Sequence, residues 1–100
     1  MKLFVDDIRN PPDDSWIVVR EAEKAIRLIN TGKISVISLD HDLGENVQTG
    51  YDVANHLEKA CLLKQIPVPT MLCHSANPPG KANIERCFQA IKKWEQTQKD

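Results

Sequence analysis

Short apolar runs alternate with longer helical periodicities along this chain. Leu3-Phe4-Val5, Trp16 to Arg20, Ile34 to Leu39 and Thr70 to Cys73 are brief and rich in β-branched, aromatic or other apolar residues. They read as strands. Ile34 to Leu39 is almost continuously apolar, the pattern of a strand inside a parallel sheet. Within Glu21–Asn30, residues Ala22, Ala25, Ile26 and Ile29 have the i, i+3, i+4, i+7 spacing of an amphipathic helix. Gly32 is the expected left-handed residue that closes it. Thr49-Gly50-Tyr51-Asp52 has capping-box spacing, ahead of a helix with Val53, Ala54, Leu57 and Cys61 on one side. Ile84, Cys87, Phe88, Ile91 and Trp94 mark a final helix, with Lys92 and Lys93 near its end. Residues 95–100 are polar and expected to fray.

The predicted order is β-turn-β-α-β-α-β-α. Alternation of this kind implies a parallel sheet covered by helices, joined by right-handed crossovers. The first connection holds Pro11-Pro12 and is read as a turn without a helix. One hundred residues make a single domain, 1–100, able to bury a core.

A net charge of -1 gives no general attraction to duplex nucleic acid or to a membrane surface. Cys61, Cys73 and Cys87 are odd in number and each lies in an apolar run. They are expected as reduced core thiols of a cytoplasmic protein. The first apolar run reaches Asp6 after three residues, too short for a signal peptide. No apolar stretch approaches the roughly 20 residues of a membrane span.

The chemistry lies just past the strands. Asp6-Asp7, Asp40-His41-Asp42 and His74-Ser75 each follow an apolar run, and strand ends in an open parallel sheet converge on one crevice. Two like charges about 4 Å apart repel by roughly 4 kcal/mol at an effective dielectric near 20. A cation, a proton or an arginine must offset them. Close carboxylates suit Mg²⁺, with Mn²⁺ as an alternative; a transition metal on His41 and His74 is a lesser possibility. Asp6 and Asp42 are also open to a role as caps of turns or helices.

His41, His74, Asp40 and Asp42 are the candidate catalytic residues. Imidazole titrates near working pH, so one histidine can accept a proton while another donates one. Which histidine takes which role is open. Arg9, Ser75 and Asn77 are candidates for binding substrate, Arg9 through a bidentate fork that suits an anion. Ser75 and Asn77 equally suit capping of the next helix. Lys81 is a further cation near the crevice. His56 reads as a surface or packing residue, and Trp16 and Tyr51 as core residues or base-stacking surfaces.

Asp6-Asp7, Asp40, Gly50 and Ser75-Ala76 resemble the acid pair, central aspartate, glycine and Ser/Thr-Ala dipeptide of response-regulator receiver domains. That resemblance implies Asp7 and Asp40 as direct metal ligands and Asp6 as a ligand through water. Receivers also use a lysine after a fifth strand, and both are missing here. A closer similarity is to a receiver-like family that processes cyclic phosphates. It rests on Leu3–Pro12 (LFVDDIRNPP), Ser38–Gly44 (SLDHDLG), Thr49–Ala54 (TGYDVA) and His74–Pro78 (HSANP).

The expected fold is a small receiver-like (flavodoxin-like) three-layer α/β domain. Its four-stranded parallel sheet would carry helices on both faces and lack the first helix and fifth strand. The implied function is a metal-dependent phosphoesterase that hydrolyses a cyclic phosphate on a phosphate-containing small molecule (a cyclic nucleotide) or on a 2′,3′-cyclic RNA end. One histidine would serve as base for the water and the other as acid for the leaving oxygen. A nucleotide-binding module without catalysis, or a phospho-accepting receiver using Asp40, are the alternatives.

Overall fold

The computed structural model describes residues 1–43 and 48–98. Its elements are β1 (Lys2–Val5), β2 (Trp16–Val19), α1 (Ala22–Ile29), β3 (Val36–Leu39), α2 (Gly50–Leu62), β4 (Thr70–Cys73) and α3 (Pro78–Thr97). All strand pairs are parallel and the sheet order is β2-β1-β3-β4. The register aligns Val18, Phe4, Ser38 and Leu72 in one row, and Val19, Val5, Leu39 and Cys73 in the next. As expected, no helix separates β1 from β2, and β4 is the last strand among the described residues.

Alternation divides the strands between two faces. Leu3, Val5, Val19, Ile37, Leu39 and Met71 join one core with Ala25, Ile29, Leu57, Ile84 and Ile91 from the three helices. The layering differs in one detail from the expectation of helices on both faces. α1 packs on α2, and α2 on α3, in a row on a single face. The crossovers β2–α1–β3 and β3–α2–β4 run in the same direction across the sheet, and right-handed connections then place both helices on the same side. A helix-bearing β1–β2 link would run the opposite way, but here that link is a turn. The second face is left to Lys2, Phe4, Trp16, Val18, Ser38 and Leu72, with Leu72 46% exposed. The turn at Asn10–Pro12 borders it beside Trp16 and Val18.

Local chemistry explains the helix starts. Thr49 and Asp52 form a reciprocal capping box, which satisfies two otherwise unpaired N–H groups. Asn77 caps α3, its side-chain oxygen accepting the Gly80 N–H at 3.0 Å. Pro78 and Pro79 occupy the first turn, where no N–H is needed. Gly32 has φ +72°, the left-handed conformation expected after α1.

The tail departs from expectation, because α3 continues through Thr97. Trp94 and Glu95 are half-buried, and Glu, Gln and Lys are good helix formers, so residues 95–97 stay helical. Gly44, in the loop expected between His41 and Gln48, lies outside the described residues. Cys61 and Cys87 are buried free thiols and Cys73 is half-buried. Burial pushes Cys61 and Cys87 up to about 11. Among the described residues no helix is long and apolar enough to cross a membrane.

Candidate functional site

The carboxyl ends of β1 and β3 deliver Asp6, Asp7 and Asp40 to one point. A carboxylate oxygen from each lies within 4.8 Å of the others. Register explains this, because Val5 and Leu39 are direct partners and the Asp40 N–H donates to the Val5 carbonyl at 2.9 Å. Asp6 is fully buried and Asp40 is 5% exposed, while Asp7 is half-buried.

Asp6 is almost saturated with donors. Its Oδ1 accepts the Ile8 and Arg9 N–H groups at 2.9 and 2.8 Å, and its Oδ2 lies 2.9 Å from His74 Nε2. His74 Nδ1 is 2.7 Å from Ser38 Oγ, so Ser38, His74 and Asp6 form one hydrogen-bonded chain. The imidazole lies on the Phe4 ring, centroids 4.3 Å apart and planes 9° apart. Arg9 donates from Nη1 to the His74 carbonyl at 2.8 Å, and its Nε is 3.9 Å from Asp6 Oδ2. Arg20 fastens the turn from below, donating to the carbonyls of Asp6 and Arg9 and to Asn10 Oδ1.

His41 is held separately. Its carbonyl accepts the Gly50 N–H at 2.9 Å, and its Nδ1 is 3.1 Å from Asp42 Oδ1. The same Asp42 oxygen accepts from the Asn77 amide at 3.4 Å. Two glycines permit this close packing. A Cβ on Gly50 would fall 1.8 Å from the Asp40 carbonyl oxygen, and one on Gly80 would fall 2.2 Å from His41 Cγ.

The electrostatics differ between neighbouring acids. Burial would raise Asp6, but the Arg9 and Ile8 N–H groups and His74 outweigh it and hold the carboxyl below its usual range. Burial and the Asp6 charge push Asp40 above its usual range, against the opposing effects of Ser75 and His74. The Ser75 hydroxyl also accepts the Asn77 N–H at 3.1 Å.

The residues expected to meet are thus brought to one edge in two linked groups. Asp6, Asp7, Asp40, His74, Arg9 and Ser75 form the first. His41, Asp42 and Asn77 form the second, joined to the first through Asp40-His41 and through the Asn77–Ser75 hydrogen bond. Asn77 caps its helix and touches Asp42 at once. Lys81 lies in a groove of about 290 Å³ between β4 and α3, with Cys73 and Phe88. His56 is elsewhere, bonded to Asn30 Oδ1 at 2.6 Å. Trp16 packs edge-on against Phe4 at 5.9 Å, and Tyr51 packs against the core.

Three contributors carried no role in the sequence reading: Ser38, Phe4 and Arg20. A polar residue between Ile37 and Leu39, two positions before Asp40, is the available signal for Ser38. Phe4 and Arg20 gave none.

A family model described as "Cyclic-phosphate processing Receiver domain" matches residues 1–90. Neither the curated proteins nor the solved structures contain a match.

Proposed function

Given that the chain belongs to the cyclic-phosphate processing receiver domain family, we propose that it is a metal-dependent phosphoesterase. Its substrate would be a cyclic phosphate, either a 2′,3′-cyclic RNA end or a cyclic nucleotide. The observation that carries this reading is the meeting of three carboxylates within 4.8 Å, with His74 and Arg9 against Asp6.

The donor set fits Mg²⁺, since it is made only of oxygen. Asp7 and Asp40 are the direct ligands in this proposal. Asp6 already accepts three hydrogen bonds, which leaves it suited to contact through water. The raised pKa of Asp40 is the mark of a carboxylate that gains from a nearby cation. When bound, Mg²⁺ supplies charge that polarises the phosphoryl group and acidifies water.

The chain's own residues do the rest. Asp42 faces His41 Nδ1 and so directs Nε2 to the proton transfers, the usual division of work in an oriented imidazole. Hydrolysis adds one water. A new P–O bond forms as His41 takes the water's proton, and the ring P–O bond breaks as that proton passes to the leaving oxygen. Arg9, 47% exposed along its side chain, offsets phosphate charge. Ser75 and Asn77 complete the rim.

The test is a panel of 2′,3′-cyclic and 3′,5′-cyclic nucleotides and a cyclic-phosphate-ended oligonucleotide, each with Mg²⁺, Mn²⁺ or chelator. Metal-dependent release of a phosphomonoester is the expected result. No product from any member would overturn the proposal, and tight binding without turnover would favour a binding module. A stable phosphoryl adduct with phosphoramidate would favour Asp40 as an acceptor.

A further inference from the structure

The row Val18, Phe4, Ser38, Leu72 crosses the helix-free face of the sheet in register. Ser38 is the one small side chain in that row. His74 lies two residues beyond Leu72, on the same face by alternation. It folds back over the space Ser38 leaves and lies flat on Phe4. There each ring nitrogen meets a different partner, Nδ1 the Ser38 hydroxyl at 2.7 Å and Nε2 the Asp6 carboxylate at 2.9 Å. Arg9 fixes the same residue through its carbonyl. With Phe4 against one ring face and both nitrogens engaged, neither ring nitrogen is free for a substrate.

We infer that the two histidines divide the work: His74 is a positioning residue, locked by Ser38, that holds Asp6 in place, and proton transfer falls to His41. Asp6 is an acceptor from Ile8 and Arg9 N–H as well, so a proton on Nε2 donates to it. The Ser38 hydroxyl keeps the ring in the plane that this requires. A bulky residue at 38, such as leucine or phenylalanine, would fill the space the ring occupies, and an apolar one of any size would leave Nδ1 without a partner. The effect of this lock on metal rests on the function proposed above; the lock itself does not.

Thr and Val at position 38 have nearly equal volume and differ by a hydroxyl for a methyl. The ring nitrogens of His74 are observed by ¹⁵N NMR in the metal-free chain, and Mn²⁺ affinity is titrated in parallel. A His74 Nε2–H protected from water exchange is expected in the wild type and in Ser38→Thr. In Ser38→Val and in the smaller Ser38→Ala, that proton should exchange at least about tenfold faster, and Mn²⁺ affinity should fall by roughly tenfold, the scale of outer-shell changes. Identical ring signals in Ser38→Ala and wild type would overturn the inference, as would an unprotected proton in the wild type. Failure of the wild type to bind Mn²⁺ would sink the metal site but leave the ring signal to decide the role of Ser38.

Discussion

Gly80 in the first turn of α3 lies directly against the imidazole of His41, so close that a Cβ there would fall 2.2 Å from Cγ. Alanine within a helix ordinarily stabilises by about 1 kcal/mol over glycine. Gly80→Ala should do the reverse or gain nothing, because His41 must rotate away. Its neighbour is a side chain that can move, whereas Gly50 faces the Asp40 backbone at 1.8 Å. Urea unfolding should therefore show a larger loss for Gly50→Ala, about 2–3 kcal/mol. Gly80→Ala should keep its fold and lose turnover instead. Equal turnover in Gly80→Ala and wild type would count against His41 as the proton-transfer group.

Asp40 and Asp6 give opposite pH signatures. The Asp40 carboxyl titrates above its ordinary 3.8 in the folded chain, so its ionisation costs stability. That cost is absent below 3.8 and complete above the folded value. Asp40→Asn should then melt higher than the wild type at pH 7 without metal. Each kcal/mol of relief corresponds to roughly 4–8 °C in a domain of this size. The advantage should shrink as pH falls through the folded value toward 3.8. Saturating Mg²⁺ should reverse the ranking, since only the wild type gains from the ligand.

Asp6 runs the other way. Its folded carboxyl titrates below 3.8, so the stability it contributes is present above 3.8 and lost as pH falls through the folded value. Asp6→Ala leaves the Ile8 and Arg9 N–H groups and His74 Nε2 without their acceptor in a buried site. The expected cost at pH 7 is about 3 kcal/mol. Thermal melts from pH 7 to pH 2 should show a weaker acid dependence in Asp6→Ala than in wild type.

The acids and the strand order were readable because both follow from short-range rules. An apolar run followed by Asp6-Asp7 or Asp40 places carboxylates at a strand end whatever else the chain does. Thr49, Asp52 and Asn77 announced their caps in the same way. The single-sided layering was legible only in part: the Pro11-Pro12 turn signalled a missing helix, but the shared face of α1, α2 and α3 depends on the direction of both crossovers. The lock on His74 was hidden for a different reason. It is made by side chains from three strands whose pairing register sets Phe4 beside Ser38, and register is not printed in any one segment. Arg20, at the end of β2, looked like the last residue of a strand. Its reach back to Asp6, Arg9 and Asn10 exists only once β1 and β2 are paired.

That reach makes Arg20 the most direct test of how the Asp6–Asn10 turn is held. Its guanidinium donates to the Asp6 carbonyl at 3.2 Å, to the Arg9 carbonyl at 2.5 Å and to Asn10 Oδ1 at 2.9 Å. A lysine ammonium keeps the charge but is a compact donor and cannot span three acceptors in a planar fork. Arg20 is exposed, so Arg20→Lys should change global stability by less than about 1 kcal/mol. Locally the effect should be plain: hydrogen exchange at the Ile8 and Arg9 amides should speed by roughly tenfold, since local opening is set by local contacts. Arg9 leaves the same turn to reach the His74 carbonyl, so loosening the turn should weaken phosphate capture and raise KM more than it lowers kcat. Unchanged exchange at Ile8 and Arg9 would show that the Asp6 carboxylate alone holds the turn.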